Sequence, residues 1–131
     1  MIYGNCFSCG DATFVYWIMK YLGHQNVAVL RGSQQDWSAT GISQSRGMSA
    51  TAEDVYIPDP RPELLADYKS VASGDLVIVD ARAPDQFGAS HIDGAINIDY
   101  NRVIEGFWLK DDSALSEIFV DLKEDRPVAV Y

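Results

Sequence analysis

Apolar and polar positions follow helix-like and strand-like patterns in turn along most of the chain. The longest apolar segment, residues 13–22, contains four aromatic side chains and only one charged residue, Lys20. It predicts a helix buried on nearly all sides, which Ser8 or Asp11 caps and Gly23 ends.

The other patterned segments alternate between strands and helices. Predicted strands cover residues 1–3, 26–30, 76–79, 95–98 and 127–131, and predicted helices cover residues 34–40, 62–71, 84–89 and 113–122, the last capped by Asp112 or Ser113. This alternation predicts an α/β fold, a parallel sheet with helices on both faces. In such sheets ligands bind in the loops beyond the carboxyl ends of the strands.

Residues 42–61 interrupt the pattern. They are rich in Ser, Thr, Gly and Pro without a sustained period, and Pro58 and Pro60 prevent a regular helix. Connectors longer than roughly 12 to 15 residues usually mark a boundary. We therefore expect two segments, 1–41 and 62–131, joined by a linker at 42–61.

The distribution of charge supports this division. Ten Lys and Arg residues against nineteen Asp and Glu residues give a net charge of -9, but residues 1–50 carry a net charge of +1. The acidic excess argues against nucleic acid and anionic membrane surfaces as partners. Because no apolar run is long enough to be a membrane span or has the basic leader of a secretion signal, we expect a cytoplasmic protein.

Residues 80–95 combine an Asp-x-Arg at the end of a strand with a His-Ile-x-Gly-Ala turn. This pattern resembles the first motif of the rhodanese (thiosulfate sulfurtransferase) family. The positions that match the motif are Asp80, Arg82, Phe87, His91, Ile92, Gly94 and Ala95. The chain departs from it at Gln86, where the family usually has Glu or Arg, and at Ser90, where it usually has Gly.

Residues 2–41 resemble the later half of a rhodanese domain. The resemblance therefore implies a tandem type of protein, in which residues 1–41 are the C-terminal half of one domain and residues 62–131 are the N-terminal half of the next. The halves stand in permuted order. They either close on one another as one permuted domain, in which the strands at 1–3 and 128–131 would compete for one position, or complete domains with another chain by swapping or by association with missing halves.

The resemblance implies transfer of sulfane sulfur from thiosulfate or a similar small anionic donor to cyanide or a thiol, through a cysteine persulfide and without a cofactor. In the family the reactive cysteine follows a strand such as 127–131, and we expect it to be absent from this chain, which ends at Tyr131. Cys6, in the loop before the first helix, is the candidate nucleophile within the chain. The alternative is a non-catalytic rhodanese-like module in which Cys6 is an ordinary loop thiol.

Cys6 and Cys9 also form a Cys-x-x-Cys at the start of a helix, the position of thioredoxin-type redox pairs. A third hypothesis is therefore a small dithiol redox protein. The pair offers at most half of a four-ligand zinc site, and neither His24 nor His91 lies at finger spacing, so we expect no metal.

Four further residues are candidates for the site. Arg82 and Gln86 are candidates for substrate binding, since a guanidinium near the carboxyl edge of the sheet would suit thiosulfate. Asp80 is expected to be structural and to accept backbone N–H groups at the strand end. His91 is expected to fix the turn before Gly94.

Overall fold

The computed structural model describes residues 1–4, 9–47, 55–106, 108–122 and 126–131. They divide into two units, Met1–Leu65 and Ala66–Tyr131. The first contains α1 (Asp11–Tyr21), α2 (Gln34–Ala39) and a 3-10 turn at Pro62–Leu64. The second contains α3 (Tyr68–Ala72), β1 (Val77–Asp80), α4 (Pro84–Ala89), β2 (Ile96–Asn97), a 3-10 turn at Tyr100–Val103, β3 (Ile104–Glu105), β4 (Trp108–Leu109), α5 (Asp112–Ile118) and β5 (Val128–Val130). No helix among these residues is long and apolar enough to cross a bilayer.

Helix α1 begins after Gly10 and not after a side-chain cap. Gly10 is the N-cap residue at φ 82° with no capping side chain, so Asp11 is the first helical residue and the prediction that it caps the helix is wrong. Ser8 lies outside the described residues. The predicted end is confirmed, because Gly23 follows the helix at φ 86°, a conformation that glycine adopts without strain.

The prediction that α1 is buried on nearly all sides is wrong. Only Ala12 is buried, whereas the side chain of Phe14 is 65% exposed and that of Trp17 is 38% exposed. Apolar composition predicts that a helix face will be covered, but it does not say which partner covers it.

The predicted strand at 26–30 is reduced to one parallel bridge between Ile2 and Val29. The backbone N–H of Ile2 donates to Ala28 O (2.8 Å), and Leu30 N–H donates to Ile2 O (2.7 Å). Ile2 pairs within the first unit and β5 pairs within the second, so the two segments do not compete for one position in the described structure.

Part of the connector packs on the end of α1. Asp59 N–H donates to Leu22 O (3.1 Å), and Arg61 N–H donates to Tyr21 O (2.7 Å). A Cβ atom at Gly23 would lie 2.5 Å from Asp59 O, so this close approach also requires glycine. The domain boundaries at 41 and 62 stay a prediction.

Helix α2 begins as its sequence predicts, and a capping box fixes its start. Asp36 N–H donates to Ser33 Oγ (3.4 Å), and Ser33 N–H donates to Asp36 Oδ2 (2.7 Å). The helix holds Trp37 in the small core of the first unit, where the ring meets Tyr3 edge to face at 4.9 Å. This contact joins the helix to the end of the first strand segment.

The second unit confirms the α/β class with a parallel sheet. Its strands lie in the order β2-β1-β5, and β1 is parallel to both neighbours. Val79 pairs with Ile96 on one side and Val130 on the other. Because β1 is central, its residues Ile78 and Val79 are buried, together with Ile98 beyond β2.

The helix predicted over 62–71 is wrong as one element. It divides into the 3-10 turn and α3, because Leu65 is extended (φ -121°, ψ 110°) and Asp67 caps a new helix. The Asp67 carboxylate accepts from Ser70 N–H (2.8 Å). A capping side chain inside an apolar period thus ended one helix and started another.

The last part of the chain differs from its prediction in three ways. Helix α5 is shorter than 113–122, and its cap is Asp111, whose Oδ1 accepts Ala114 N–H at 2.8 Å, so the prediction of Asp112 or Ser113 is wrong. The antiparallel pair of β3 and β4 and the 3-10 turn before it were not predicted. Strands this short carry too few positions to show an alternating pattern.

Two neighbouring aspartates test the cap of α5. Replacement Asp111→Ala removes the acceptor of Ala114 N–H and should lower the free energy of unfolding by about 1 kcal/mol. The control Asp112→Ala loses only a charge in the first turn and should cost less than half as much. Urea denaturation followed by far-ultraviolet circular dichroism measures both, and equal losses would contradict the assignment.

Candidate functional site

An ion pair closes the carboxyl end of β1. Arg82 Nη2 lies 2.5 Å from Asp80 Oδ2, and Arg82 Nε donates to Asp80 Oδ1 (3.0 Å) and Oδ2 (3.1 Å). Arg82 N–H also donates to Oδ1 (2.9 Å). Asp80 is fully buried while the Arg82 side chain is 36% exposed, so the arginine covers the carboxylate and separates it from solvent.

The ionisation of both groups is strongly stabilised. Hydrogen bonds from the Arg82 side chain hold the pKa of Asp80 well below its usual value, against the opposing effect of burial. The same contacts raise the pKa of Arg82. Near neutral pH Asp80 is therefore an ionised acceptor, and a carboxyl whose pKa is lowered in this way is poorly suited to act as a general acid or base there.

Tyr131 joins this pair to the neighbouring turn. Its backbone N–H donates to Val79 O (3.0 Å), and Ala81 N–H donates to Tyr131 O (2.9 Å), which continues the β1–β5 pairing beyond β5. Its hydroxyl accepts Ile92 N–H (3.0 Å), and its ring centroid lies 5.3 Å from Cζ of Arg82. The tyrosine therefore supports the guanidinium with its ring and the 91–94 turn with its hydroxyl.

Two further groups fix the loop after β1. Asn97 Nδ2 donates to Asp80 O (3.0 Å) and to Arg82 O (2.8 Å), so one amide holds both ends of the Asp-x-Arg segment. Ser90 O accepts from Arg82 Nη2 (2.8 Å). We call the set Asp80, Arg82, Ser90, Asn97 and Tyr131 the carboxyl-edge cluster.

His91 and Gly94 shape the turn beside the cluster. His91 Nδ1 lies 2.9 Å from Phe87 O at the end of α4, and its ring stacks on Phe87 with centroids 3.9 Å apart. Gly94 has φ 76°, which a residue with a Cβ rarely adopts. Both contacts of the histidine hold the backbone of this turn against α4.

The substrate-binding roles of Arg82 and Gln86 stay predictions. Two nitrogens of Arg82 already hold Asp80, and one of these also holds Ser90 O, so any anion would meet the partly exposed side of the guanidinium. Gln86 is exposed on α4, where its carbonyl accepts Ser90 N–H (3.2 Å).

A cavity of about 600 Å³ opens beyond the strand ends of the first unit. Tyr3 and Leu30, which end the two bridged segments, line it together with Asp11 at the start of α1. Its other lining residues are Gly4, Gln34, Trp37, Ile42, Ser43, Gln44 and Ser45. Cys6, the candidate nucleophile, lies outside the described residues, and Cys9 immediately precedes the cap of α1.

The described lining of this cavity mixes apolar and polar residues and includes no basic residue. Asp11 is the only charged residue among the described lining residues, and Gln34 Nε2 donates to Gln44 Oε1 (3.1 Å) at the rim. An acidic group here disfavours an anionic ligand and raises the cost of forming a thiolate nearby. Across the described parts of the chain, no three His, Cys, Asp or Glu residues are placed to hold a metal ion.

Asn97 and Tyr131 are the members of the carboxyl-edge cluster that sequence reasoning missed. Both lie at the carboxyl ends of strands that flank β1, and a polar or aromatic residue at the end of an apolar strand is the signal that would have identified them. Their roles depend on the strand order β2-β1-β5, which the sequence does not state.

The second unit is a parallel α/β sheet in which an arginine covers a buried aspartate at the carboxyl edge, so the protein is of the α/β class. The model of the rhodanese-like domain family matches residues 64–131, more than half of the chain. The chain therefore belongs to the rhodanese-like family, which confirms the resemblance of its Asp-x-Arg and His-Ile-x-Gly motif.

Relatives extend the similarity into the first unit. Rat thiosulfate sulfurtransferase is 29% identical over 128 residues, 85% of this chain and 43% of its own length. A protein of Saccharopolyspora erythraea, whose name assigns the same activity provisionally, is 27% identical over 142 residues, 92% of this chain and 50% of its own length. The chain thus spans about half the length of these relatives.

A solved structure shows the same fold. The crystal structure of SseA from Escherichia coli, described as a 3-mercaptopyruvate sulfotransferase with the rhodanese fold, matches with a TM-score of 0.79 at 24% identity. The match covers 97% of this chain and 52% of that chain. At this identity the likeness establishes the fold.

The ion pair predicts an acid-dependent stability. The pKa of Asp80 is lowered by folding from an ordinary value of 3.8, so its stabilising effect is complete above that pH and is lost as the pH falls below it. Asp80→Asn should be less stable than the parent at about pH 6, and the difference should shrink towards about pH 2. Thermal unfolding midpoints across this range measure the effect.

The control for this experiment is Asp75→Asn, which changes an exposed aspartate outside the cluster. Its unfolding midpoint should follow that of the parent at every pH. A difference between Asp80→Asn and the parent that stays constant with pH would contradict the role of the ion pair.

Tyr131→Phe keeps the ring beside Arg82 and removes the hydroxyl that accepts Ile92 N–H. Hydrogen exchange of the Ile92 amide should accelerate on the order of fivefold, the equivalent of about 1 kcal/mol for one lost hydrogen bond. Nuclear magnetic resonance measures this amide directly. The control Tyr100→Phe, at an exposed tyrosine, should leave the Ile92 rate unchanged.

Proposed function

We propose that the protein acts in sulfur transfer of the rhodanese type, taking sulfane sulfur from thiosulfate or a similar donor. The observation that carries this proposal is the carboxyl-edge cluster. It places a partly exposed guanidinium at the edge of a parallel sheet where ligands bind in this fold class, and it belongs to the segment that matches the family. The names of the relatives supply the donor class.

The proposed reaction has two displacement steps. A cysteine thiolate attacks the outer sulfur of thiosulfate, a sulfur–sulfur bond forms to the cysteine, and the bond within thiosulfate breaks as sulfite leaves with its electron pair. Cyanide or a thiolate then attacks the outer sulfur of the persulfide, and the cysteine thiolate leaves. Each step needs an anionic leaving group stabilised by nearby positive charge or N–H dipoles.

The residues of the second unit support this chemistry by position. Asp80 holds Arg82 with two nitrogens, so the guanidinium presents its remaining side in one orientation. Asn97 and Tyr131 keep the loop and the turn in place around it. In this proposal the partly exposed side of Arg82 is the anion-binding group of the second unit, and the other members of the cluster are positioning residues.

Cys6 is the nucleophile that we propose within this chain. Two features of the sequence and of the described residues favour it, since Cys6 stands four positions after the bridged residue Ile2 and five positions before an 11-residue helix whose N-cap has no capping side chain. The N–H groups at such a helix start stabilise negative charge.

One observation favours the alternative, a non-catalytic rhodanese-like module. The cavity of the first unit carries Asp11 and no basic residue among its described lining, which does not suit an anionic sulfur donor. In that case the chain would bind partners or support a reactive cysteine located elsewhere.

Mass spectrometry of the intact chain tests the proposal. The chain is fully reduced, freed of reductant, treated with thiosulfate and weighed, and a second sample receives cyanide. We expect a gain of one sulfur atom that Cys6→Ser abolishes and Cys9→Ser preserves, and formation of thiocyanate on addition of cyanide.

Two other results would replace the proposal. If the chain neither gains sulfur nor forms thiocyanate, it is a non-catalytic module. If Cys6 and Cys9 form a disulfide that is reduced reversibly and the chain takes up no sulfur, the protein is a dithiol redox protein.

A further inference from the structure

The turn that leads into β2 contains the dipeptide Asp93–Gly94, the one place in the sequence where an aspartate or asparagine precedes a glycine. The turn is closed by Ala95 N–H, which donates to Ile92 O (3.0 Å). Gly94 has φ 76°, the conformation that the third residue of a type II turn requires. The closing bond is made by the two end residues of the turn, so it engages neither Asp93 nor Gly94.

The polar groups of this dipeptide are not held by other groups. Among the described residues, no hydrogen bond or ion pair engages the Asp93 carboxylate or Gly94 N–H. Both residues are exposed, and a Cβ atom placed on Gly94 would meet no atom within 4 Å. The Asp93 side chain can therefore turn through its rotamers towards the Gly94 nitrogen, which no glycine side chain shields.

Several other aspartates of the second unit are held in place. The carboxylates of Asp67, Asp99 and Asp111 accept backbone N–H groups at distances of 2.8, 2.9 and 2.8 Å. The carboxylate of Asp80 is paired with its arginine. A carboxyl group in such a bond must give it up before its carbon can be reached by the next backbone nitrogen. Asp93 is free of this constraint and is followed by the least hindered residue type.

We propose that Asp93 is a site of spontaneous isomerisation to isoaspartate, the modification on which isoaspartyl carboxyl methyltransferases act. The Gly94 nitrogen attacks Cγ of the protonated Asp93 carboxyl group, a C–N bond forms, and the hydroxyl group leaves with the amide proton as water. Water then adds to one carbonyl of the resulting succinimide ring and breaks the bond from that carbonyl to the ring nitrogen. Opening at Cγ restores aspartate, and opening at the main-chain carbonyl leaves the chain running through Cβ and Cγ.

The reaction joins two adjacent residues and needs water alone, so it is independent of the proposed sulfur transfer. Its product changes the turn, because isoaspartate lengthens the main chain by one carbon atom between Ile92 and Ala95. Ile92 N–H donates to the Tyr131 hydroxyl (3.0 Å), and β2 begins one residue after Ala95. Isomerisation should therefore weaken both hydrogen bonds of Ile92 and loosen the link between the turn and the carboxyl-edge cluster.

Enzymatic methylation of the aged chain tests the site. The folded chain and a sample unfolded in urea are incubated at mildly acidic pH, returned to neutral buffer and labelled by an isoaspartyl methyltransferase with an isotopic methyl donor. We expect label on the peptide that contains Asp93, accumulating at similar rates in the two samples. If the folded chain accumulates it more slowly by an order of magnitude or more, the turn protects the dipeptide and the proposal is overturned.

Two variants assign the label to this residue. Asp93→Glu keeps the charge but would need a six-membered ring, so the label should disappear. The control Asp112→Glu changes an exposed aspartate that precedes another small residue, Ser113, but lies in α5, and the label should be unchanged. Label that persists in Asp93→Glu or disappears in Asp112→Glu would contradict the assignment. Circular dichroism checks that both variants fold.

Hydrogen exchange in the aged chain tests the link to the cluster. In the isoaspartyl fraction the amides of Ile92 and Ala95 should exchange faster on the order of fivefold, as expected for one lost hydrogen bond each. The amide of Leu115, which donates to Asp111 O in α5, should be unchanged. Unchanged exchange at Ile92 would overturn the link, whereas the methylation result decides the site itself.

Discussion

The second unit depends on one electrostatic requirement, that a fully buried carboxylate must be paired. Asp80 ends the central strand, where no water can satisfy its oxygens, so removal of its partner would leave an uncompensated charge. Arg82 meets this requirement from two residues away and also reaches Ser90 O. The loop after β1 and the start of the next turn are therefore fixed by the same guanidinium. This rigidity would help an anion to bind, because a guanidinium that is already ordered loses less side-chain entropy on binding.

Local sequence signals predicted those elements whose ends are determined by a few neighbouring atoms. The helix at 84–89 has its predicted bounds because Pro84 suits a first helical position and the family motif follows directly. The Asp-x-Arg contact could also be predicted, since it closes within three residues. The family was found from the same segment. In each of these features the interacting residues are close together in the sequence, so the feature can be predicted without knowledge of the fold.

Features that depend on distant partners could not be predicted in this way. The apolar pattern of α1 predicted burial, but the described structure leaves Phe14 and Trp17 exposed. The apolar spacing over 62–71 predicts a single helix. The side chain of Asp67 instead caps a new helix, and this local hydrogen bonding outweighs the apolar spacing. The sequence indicates only that Tyr131 ends a strand. The position of its hydroxyl beside Ile92 follows from a strand order that is set by contacts far apart in sequence.

The pairing of β1 with its two neighbours has a consequence for the order of folding. Val79 meets Ile96 after 17 positions along the chain but meets Val130 only after 51. The entropy of closing a loop grows with its length, and contacts distant in sequence form slowly. We therefore expect β1, α4 and β2 to assemble first, with Arg82 already on Asp80, and β5 to join last. The hydroxyl of Tyr131 then reaches Ile92 only when the third strand is in place, so this hydrogen bond marks completion of the sheet.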